Sequence, residues 1–400
     1  FFCCHKAISV GRDRYSKMRI LWIGMICILS IISIHKYIPS LFPISQTYGA
    51  FHYIHEMRRI SQKHEQNISR FRIYTPVSEA MPQKLPGTVI VVIGESATRD
   101  RMKAFTPSYP SETTPWLSEM KETPYFYLMD KTYSCFPVTV PALSMFLYGR
   151  NQYDHRNIDD VANIIDVAHL SGYKTWWMSN QGKMSGEDSP IDFVAQNCDT
   201  EQRTPFPLGD DYQLLDFVKQ LPKNENNFVI IHLMGSHIRY SDRTPPDFKG
   251  IDNPQHDKRT NQYDTTLLYT DHLLRDIYTY AKDHLNLQVM MYCSDHGENM
   301  ERSHVASKNM TYDMVRIPFF IYLSPAYTQL YPDTAQALRQ NEHKVFTNDL
   351  MYDTISGILH LPNTDYEPKF DLSSDTYDLK PADARTKYGE WTILDDPDYK

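Results

Sequence analysis

The sequence predicts an α/β sandwich built on a mostly parallel sheet, with a membrane-spanning helix ahead of it. Two observations carry the first part. Five short apolar runs rich in β-branched or aromatic residues recur after Thr88, bounded by Gly, Asn, Asp or Pro, as buried strands are. Helical segments lie between them, and strands alternating with helices imply a parallel sheet covered on both faces. The third observation is Ile20–Ile34, an uncharged apolar run of fifteen residues.

Taken in order, that run falls short of the roughly 20 residues that span a bilayer. Met18 extends it, Arg19 can snorkel and Tyr37 can sit at the interface, so a transmembrane helix is expected over residues 18–44. Residues 1–17 then form a cytoplasmic loop or the end of a preceding span. Arg12, Arg14, Lys17 and Arg19 crowd the N-terminal side, and the positive-inside rule places the remainder outside the cytoplasm. Phe51, Ile54, Met57 and Ile60 recur at three-residue spacing among Arg, His and Lys. Residues 45–80 are therefore read as an amphipathic helix, on the membrane surface or against a neighbouring span, and a linker. The expected strands are TVIVVIG (88–94), YKTWWMS (173–179), NFVIIHLMG (227–235), LQVMMYC (287–293) and IPFFIYL (317–323), with helices at 158–170, 212–221 and 263–284. Together they make a catalytic domain over 81–365, followed by an irregular acidic tail over 366–400.

Composition excludes other classes. At 41% hydrophobic and 22% charged residues the chain is globular rather than disordered. The formal charge of −8 conceals a basic first part, residues 1–72 carrying eleven Lys/Arg against three acids. Such a part suits an anionic membrane. No basic stripe interleaves with aromatics in the large domain, so no nucleic-acid partner is expected. Of the six cysteines, Cys135, Cys198 and Cys293 fall in the exported part. Cys293 reads as a buried thiol, and Cys135–Cys198 is the one pair that could bridge.

The chemistry gathers at strand ends, where open α/β sheets place their sites. Glu95 follows the first run; as a lone carboxylate it serves equally to cap a helix or to bind a metal. Asp295-His296-Gly297 follows the fourth run and supplies one oxygen and one nitrogen ligand, a set that suits zinc. Gly297 is expected to let the chain turn around the ion. His232 within its run reads alone as a core histidine, and His237 beyond it is freer to point into a crevice. His304 lies in a polar loop eight residues after His296. Thr139 precedes a helix in which Pro141 is tolerable in the first turn. Its hydroxyl either caps that helix or waits at a helix N-terminus where a phosphate is stabilised.

In combination VVIGES, the Cys135-x-x-x-Thr139 stretch, HLMGSH and SDHGE with a following His resemble lipid-dependent phosphoethanolamine transferases of the alkaline phosphatase/sulfatase superfamily. The resemblance covers roughly residues 88–365 and implies that superfamily's α/β/α sandwich. It implies Zn2+ held by Glu95, Thr139, Asp295 and His296, with Thr139 as nucleophile and His232 as a proton-transfer group. His237 and His304 would take a second metal or the substrate phosphate, and Asn180 and Gln181 the substrate side. The implied reaction moves phosphoethanolamine from phosphatidylethanolamine, through the enzyme, to an envelope glycolipid or glycan. The implied location is the bacterial inner membrane, with the catalytic domain in the periplasm. Met145 and Phe146 stand where lipid A-modifying members carry a second cysteine. That favours a lipopolysaccharide core sugar or periplasmic glucan over lipid A. Cys135-Phe136-Pro137 also resembles the sulfatase signature, with Thr139 in place of its Arg. A sulfatase-like enzyme, a phosphatase or phosphonate hydrolase, and an inactive membrane-tethered binding protein are the alternatives.

Overall fold

The computed structural model describes residues 19, 21–26, 30, 42–75, 77–154, 156–182, 189–205, 210–301 and 310–399. The strands are β1 (Thr88–Gly94), β2 (Phe126–Leu128), β3 (Thr132–Tyr133), β4 (Lys174–Ser179), β5 (Thr200–Arg203), β6 (Asn227–His232), β7 (Leu287–Ser294) and β8 (Phe319–Leu323). Seven of them form one sheet in the order β2-β8-β7-β1-β6-β4-β5. The run from β7 to β5 is parallel, and β8 pairs antiparallel with β7 and β2.

All seven residues of β1 are buried, as are all eight of β7. A strand covered on both faces must be apolar throughout, which is why these runs show no alternation. Val89, Val91, Ile93, Val289, Met291 and Phe319 face one layer, which includes the helices Ile164–Ser171 and Met351–Ile358. Ile90, Val92, Met290 and Tyr292 face the other, against Leu267, Leu274 and Ile277 of the long helix Lys258–His284. Each such side chain contributes about 1.5–3 kcal/mol by leaving water. The result is the α/β/α sandwich, with β1 at its centre.

Several elements differ in length from the sequence expectation, each for a local reason. The third run ends as a strand at His232, because Asp211 takes the Met234 and Gly235 N–H groups at 2.9 and 2.8 Å. The fifth starts at Phe319, after Pro318, which has no N–H for a ladder. The helix expected over 158–170 divides at Asn163, which caps Ile164–Ser171 in a reciprocal box with Asp166.

The chain forms two compact units, residues 1–58 and 59–400. In the first, Leu21, Trp22 and Ile23 are exposed. Most of the expected span 18–44 lies outside the described residues, and no described helix is long and apolar enough to cross a membrane. The helix Phe42–Tyr74 is continuous. Within the second unit its later turns bury Ile60 and Phe71, and His64 Nε2 lies 2.8 Å from Asp166 Oδ1. Residues 366–399 hold only short elements, yet Phe370, Leu372, Tyr377, Leu379 and Ile393 join the core.

Candidate active site

Three neighbouring strand ends supply the site. Glu95 follows β1, Asp295 and His296 follow β7, and His232 closes β6. Backbone bonds lock these ends together: Asp295 N–H donates to Gly94 O at 3.1 Å, and Leu233 N–H to Ile93 O at 3.0 Å. Glu95, Asp295 and His296 are all buried, and one ligand atom from each lies within 4.8 Å of the others. His296 Nε2 is 3.5 Å from Glu95 Oε1 and 3.5 Å from Asp295 Oδ2.

The ligand atoms are oriented by a surrounding set of hydrogen bonds. His296 Nδ1–H donates to Gly297 O at 2.7 Å, which turns Nε2 toward the carboxylates. Asp295 Oδ1 accepts from the Ser96 N–H at 3.0 Å and the His296 N–H at 2.7 Å. Asp295 Oδ2 is buried with no hydrogen-bond partner among the described residues. Such an oxygen is costly unless something positive meets it. One imidazole nitrogen and carboxylate oxygens around that orphan are a donor set that fits zinc.

Electrostatics say the same. Burial alone would raise the Glu95 carboxyl, but the hydrogen bond and charge of His296 hold it far below the usual range. Burial and the charge of Glu95 push Asp295 up to about 7. Burial opposes charging of His296, and the charges of Asp295 and Glu95 override it, raising it to about 10. Two buried carboxylates thus require a positive charge between them, a proton on Nε2 or a divalent cation.

Thr139 completes the group. It is the first residue of the helix Thr139–Phe146, with Val138 at the N-cap, so its side chain is released from capping. Its Oγ1 donates to Glu95 Oε2 at 3.1 Å and lies 3.4 Å from His296 Nε2. Thr139, Glu95, Gln181, Arg203, His232 and His237 line a cavity of about 380 Å³.

The remaining expected residues fall into distinct places. His232 Nε2 is buried with no hydrogen-bond partner among the described residues, and burial lowers the imidazole to about 4, leaving it neutral. Gln181 Nε2 donates to Glu95 Oε2 at 3.1 Å and to Leu233 O at 2.8 Å. Asn180, behind the cavity, donates to Asp211 at 2.7 Å, and Asp211 holds the Met234–Gly235 turn. His304 lies outside the described residues. Gly297 differs in its reason from expectation: its φ is not in the left-handed region. A Cβ there would collide with the Asp313 carbonyl. Cys135, Cys198 and Cys293 are separate thiols.

Several contributors were not singled out from the sequence. Ser96, at φ 55°, turns the chain and donates its hydroxyl to Glu95 Oε1 at 2.7 Å. Asn348 and Ser134 both donate to the Asp295 carbonyl, at 2.8 and 2.6 Å. Arg203 pairs with Asp192 at 2.7 Å on the cavity wall. Only Ser96, beside Glu95, carried a sequence signal.

The family model described as Sulfatase matches residues 87–361. The phosphoethanolamine transferase EptC of Escherichia coli O18:K1:H7 is 26% identical over 307 residues, 71% of this chain and 52% of that protein. The Kdo(2)-lipid A phosphoethanolamine 7''-transferase of Escherichia coli K12 is 28% identical over 311 residues, 71% of this chain and 54% of that protein. The chain thus spans about half the length of the curated relatives it matches. Among solved structures, the C-terminal periplasmic domain of Escherichia coli EptC in complex with Zn superposes with a TM-score of 0.65. It is 25% identical and covers 74% of this chain and 88% of that one. With residues 87–361 matched, more than half its length, this chain belongs to the Sulfatase family.

Proposed function

We propose that the protein transfers phosphoethanolamine from phosphatidylethanolamine to an envelope glycolipid or glycan, with Thr139 as the nucleophile. The observation that carries this reading is the hydroxyl of Thr139, part-buried on a cavity wall, within 3.1 Å of Glu95 and 3.4 Å of His296. A threonine so placed can be activated only by its surroundings, since a free hydroxyl is a weak nucleophile.

In the first half-reaction the Thr139 oxygen attacks the phosphorus, and the bond from phosphorus to the glyceryl oxygen breaks. Glu95 orients the Thr139 hydroxyl through their hydrogen bond, Thr139 gives up its proton as it attacks, and the glyceryl oxygen takes up a proton as diacylglycerol departs. His232, neutral and with Nε2 unpartnered, suits that proton traffic. The second half reverses the roles: an acceptor oxygen attacks the phosphorus, and Thr139 is the leaving group. Glu95, Asp295, His296 and Thr139 would hold Zn2+, which when bound lowers the hydroxyl pKa and neutralises developing charge. The free N–H groups of the helix Thr139–Phe146 add to that stabilisation. His237, on the cavity wall, and His304 are assigned to substrate phosphate or a second metal.

The relatives' names support phosphoethanolamine as the transferred group. Met145 and Phe146, where a second cysteine is expected of lipid A enzymes, favour a lipopolysaccharide core sugar or a periplasmic glucan over lipid A. The apolar run and basic flank at the N-terminus support an inner-membrane anchor, with the domain over 81–365 in the periplasm. A sulfatase-like use of Cys135 is disfavoured. Its sulfur is buried against the Ala142 carbonyl, and burial pushes the thiol up.

The test is intact mass of the purified chain after incubation with phosphatidylethanolamine, beside Thr139→Ala. The expected result is a phosphoethanolamine-sized adduct on the wild type alone, with Tm in chelator little changed in the variant. Transfer by Thr139→Ala at the wild-type rate overturns the assignment.

A further inference from the structure

The segment that holds the nucleophile is strapped from outside the family's matched span. The Sulfatase model ends at residue 361, yet residues 385–389 run along Ser134–Pro141. The Thr386 hydroxyl donates to Ser134 O at 2.7 Å, with both residues fully buried. Tyr388 N–H donates to Cys135 O at 3.3 Å, and its hydroxyl donates to Pro141 O at 3.0 Å. The Tyr388 ring packs on Phe136 with centroids 4.6 Å apart. One side chain and its own amide therefore bracket Thr139 from four residues before it to two after it.

The strap is itself anchored at both ends. Gln152 donates to Arg385 O at 2.7 Å and accepts the Gly389 N–H at 3.2 Å. Farther along, Asp396 accepts from the Tyr133 hydroxyl and from Arg316 Nε, each at 2.8 Å. That fixes the residue just before Ser134. The backbone of the strap is strained: Lys387 and Tyr388 have φ of 54° and 55°. Side chains other than Gly, Asn and Asp rarely adopt that conformation, at a cost of order 1 kcal/mol or more. Tyr388 is also exposed, so burial of its ring does not account for a tyrosine in a position better suited to glycine. Its hydrogen bond to Pro141 O, in the first turn of the nucleophile's helix, does.

From this we infer that Tyr388 is a positioning residue for Thr139, holding the start of its helix at attacking distance from the donor phosphorus. The inference rests on the transferase reading, because it is the phosphoryl-transfer step that the position serves.

Two variants of the full chain test it, with phosphatidylethanolamine as donor and the rate of Thr139 labelling as the readout. Tyr388→Gly removes the side-chain half of the bracket, keeps the amide bond to Cys135 O and relieves the backbone strain, so its Tm should hold or rise. Its kcat for labelling should nevertheless fall about tenfold, the scale of a small misplacement of reacting groups, at an unchanged donor KM. Tyr388→Phe keeps the ring on Phe136 and loses only the hydroxyl, so it should recover part of that loss. Wild-type kcat in both variants overturns the inference. So does a raised KM at unchanged kcat, which would make Tyr388 a donor contact. A fall matched by lost Tm or zinc marks a merely structural role and also overturns it. No labelling of the wild type overturns the transferase reading itself, and the positioning role with it.

Discussion

If Asp295 holds zinc as proposed, replacing it with Asn measures what the cation adds to the domain's stability. In the wild type, Oδ1 faces two backbone donors, at 3.0 and 2.7 Å, while Oδ2 has none. An asparagine must turn its carbonyl toward those two N–H groups, which sends its amide hydrogens to the place of Oδ2. There they meet the space where a cation needs a lone pair, and a negative charge is lost besides. Loss of partners one shell farther out weakens metal sites by 10- to 100-fold, so about 100-fold is a floor here. At zinc one hundred times the wild-type Kd, binding stabilises the wild type by about 2.7 kcal/mol. A site weakened 100-fold then sits at its own Kd and gains only about 0.4 kcal/mol. In chelator the difference should shrink, because burial and the charge of Glu95 make ionised Asp295 costly while its pairing with His296 offsets part of that cost. Thermal melts at pH 8 with zinc and with chelator, and zinc content after desalting, read both effects. A zinc-dependent rise in Tm equal to that of the wild type would refute the assignment of Asp295 as a ligand.

Two further outcomes follow from the same geometry. Gly235→Ala places a Cβ at 2.9 Å from the Glu95 carbonyl oxygen and 3.0 Å from its nitrogen, at φ 49°. Zinc affinity and labelling rate should both fall, with a stability loss of about 1–3 kcal/mol, and unchanged zinc binding would separate Gly235 from Glu95. Asp271 accepts the Trp116 and Leu117 N–H groups, and burial raises it to about 7. A raised carboxyl stabilises the fold fully below the unfolded pKa near 4 and progressively less as pH rises toward 7. Its largest slope is about 1.4 kcal/mol per pH unit. Asp271→Asn should flatten the Tm profile between pH 4 and 7, and an unaltered profile would discount that titration.

Much of the scaffold could be read from the chain because burial on both faces writes itself as uninterrupted apolar sequence. TVIVVIG forms a strand over the same seven residues, and LQVMMYC extends by only Ser294. The edge is less legible. β5 is Thr-Glu-Gln-Arg, half-exposed throughout, and no hydrophobic signal marks it. β2 has three residues and β3 two, too few for periodicity to show. The site divides in the same way. Asp295 and His296 stand out because charged residues rarely follow a buried strand without a reason. Ser134, Asn348 and Tyr388 act through backbone carbonyls, contacts that leave no trace in residue type or spacing.

The donors around Thr139 descend from β1 and β7, whose ends are tied by the bond from Asp295 N–H to Gly94 O. Their mutual distances are thus set by the pitch of a pleated ladder. The surrounding loops have freedom as a result. A loop facing the solvent could lengthen, shorten or change its chemistry without altering the spacing of the reactive core. If the transferase reading holds, recognition of a new acceptor can evolve by editing the rim while the strand-end residues are inherited intact.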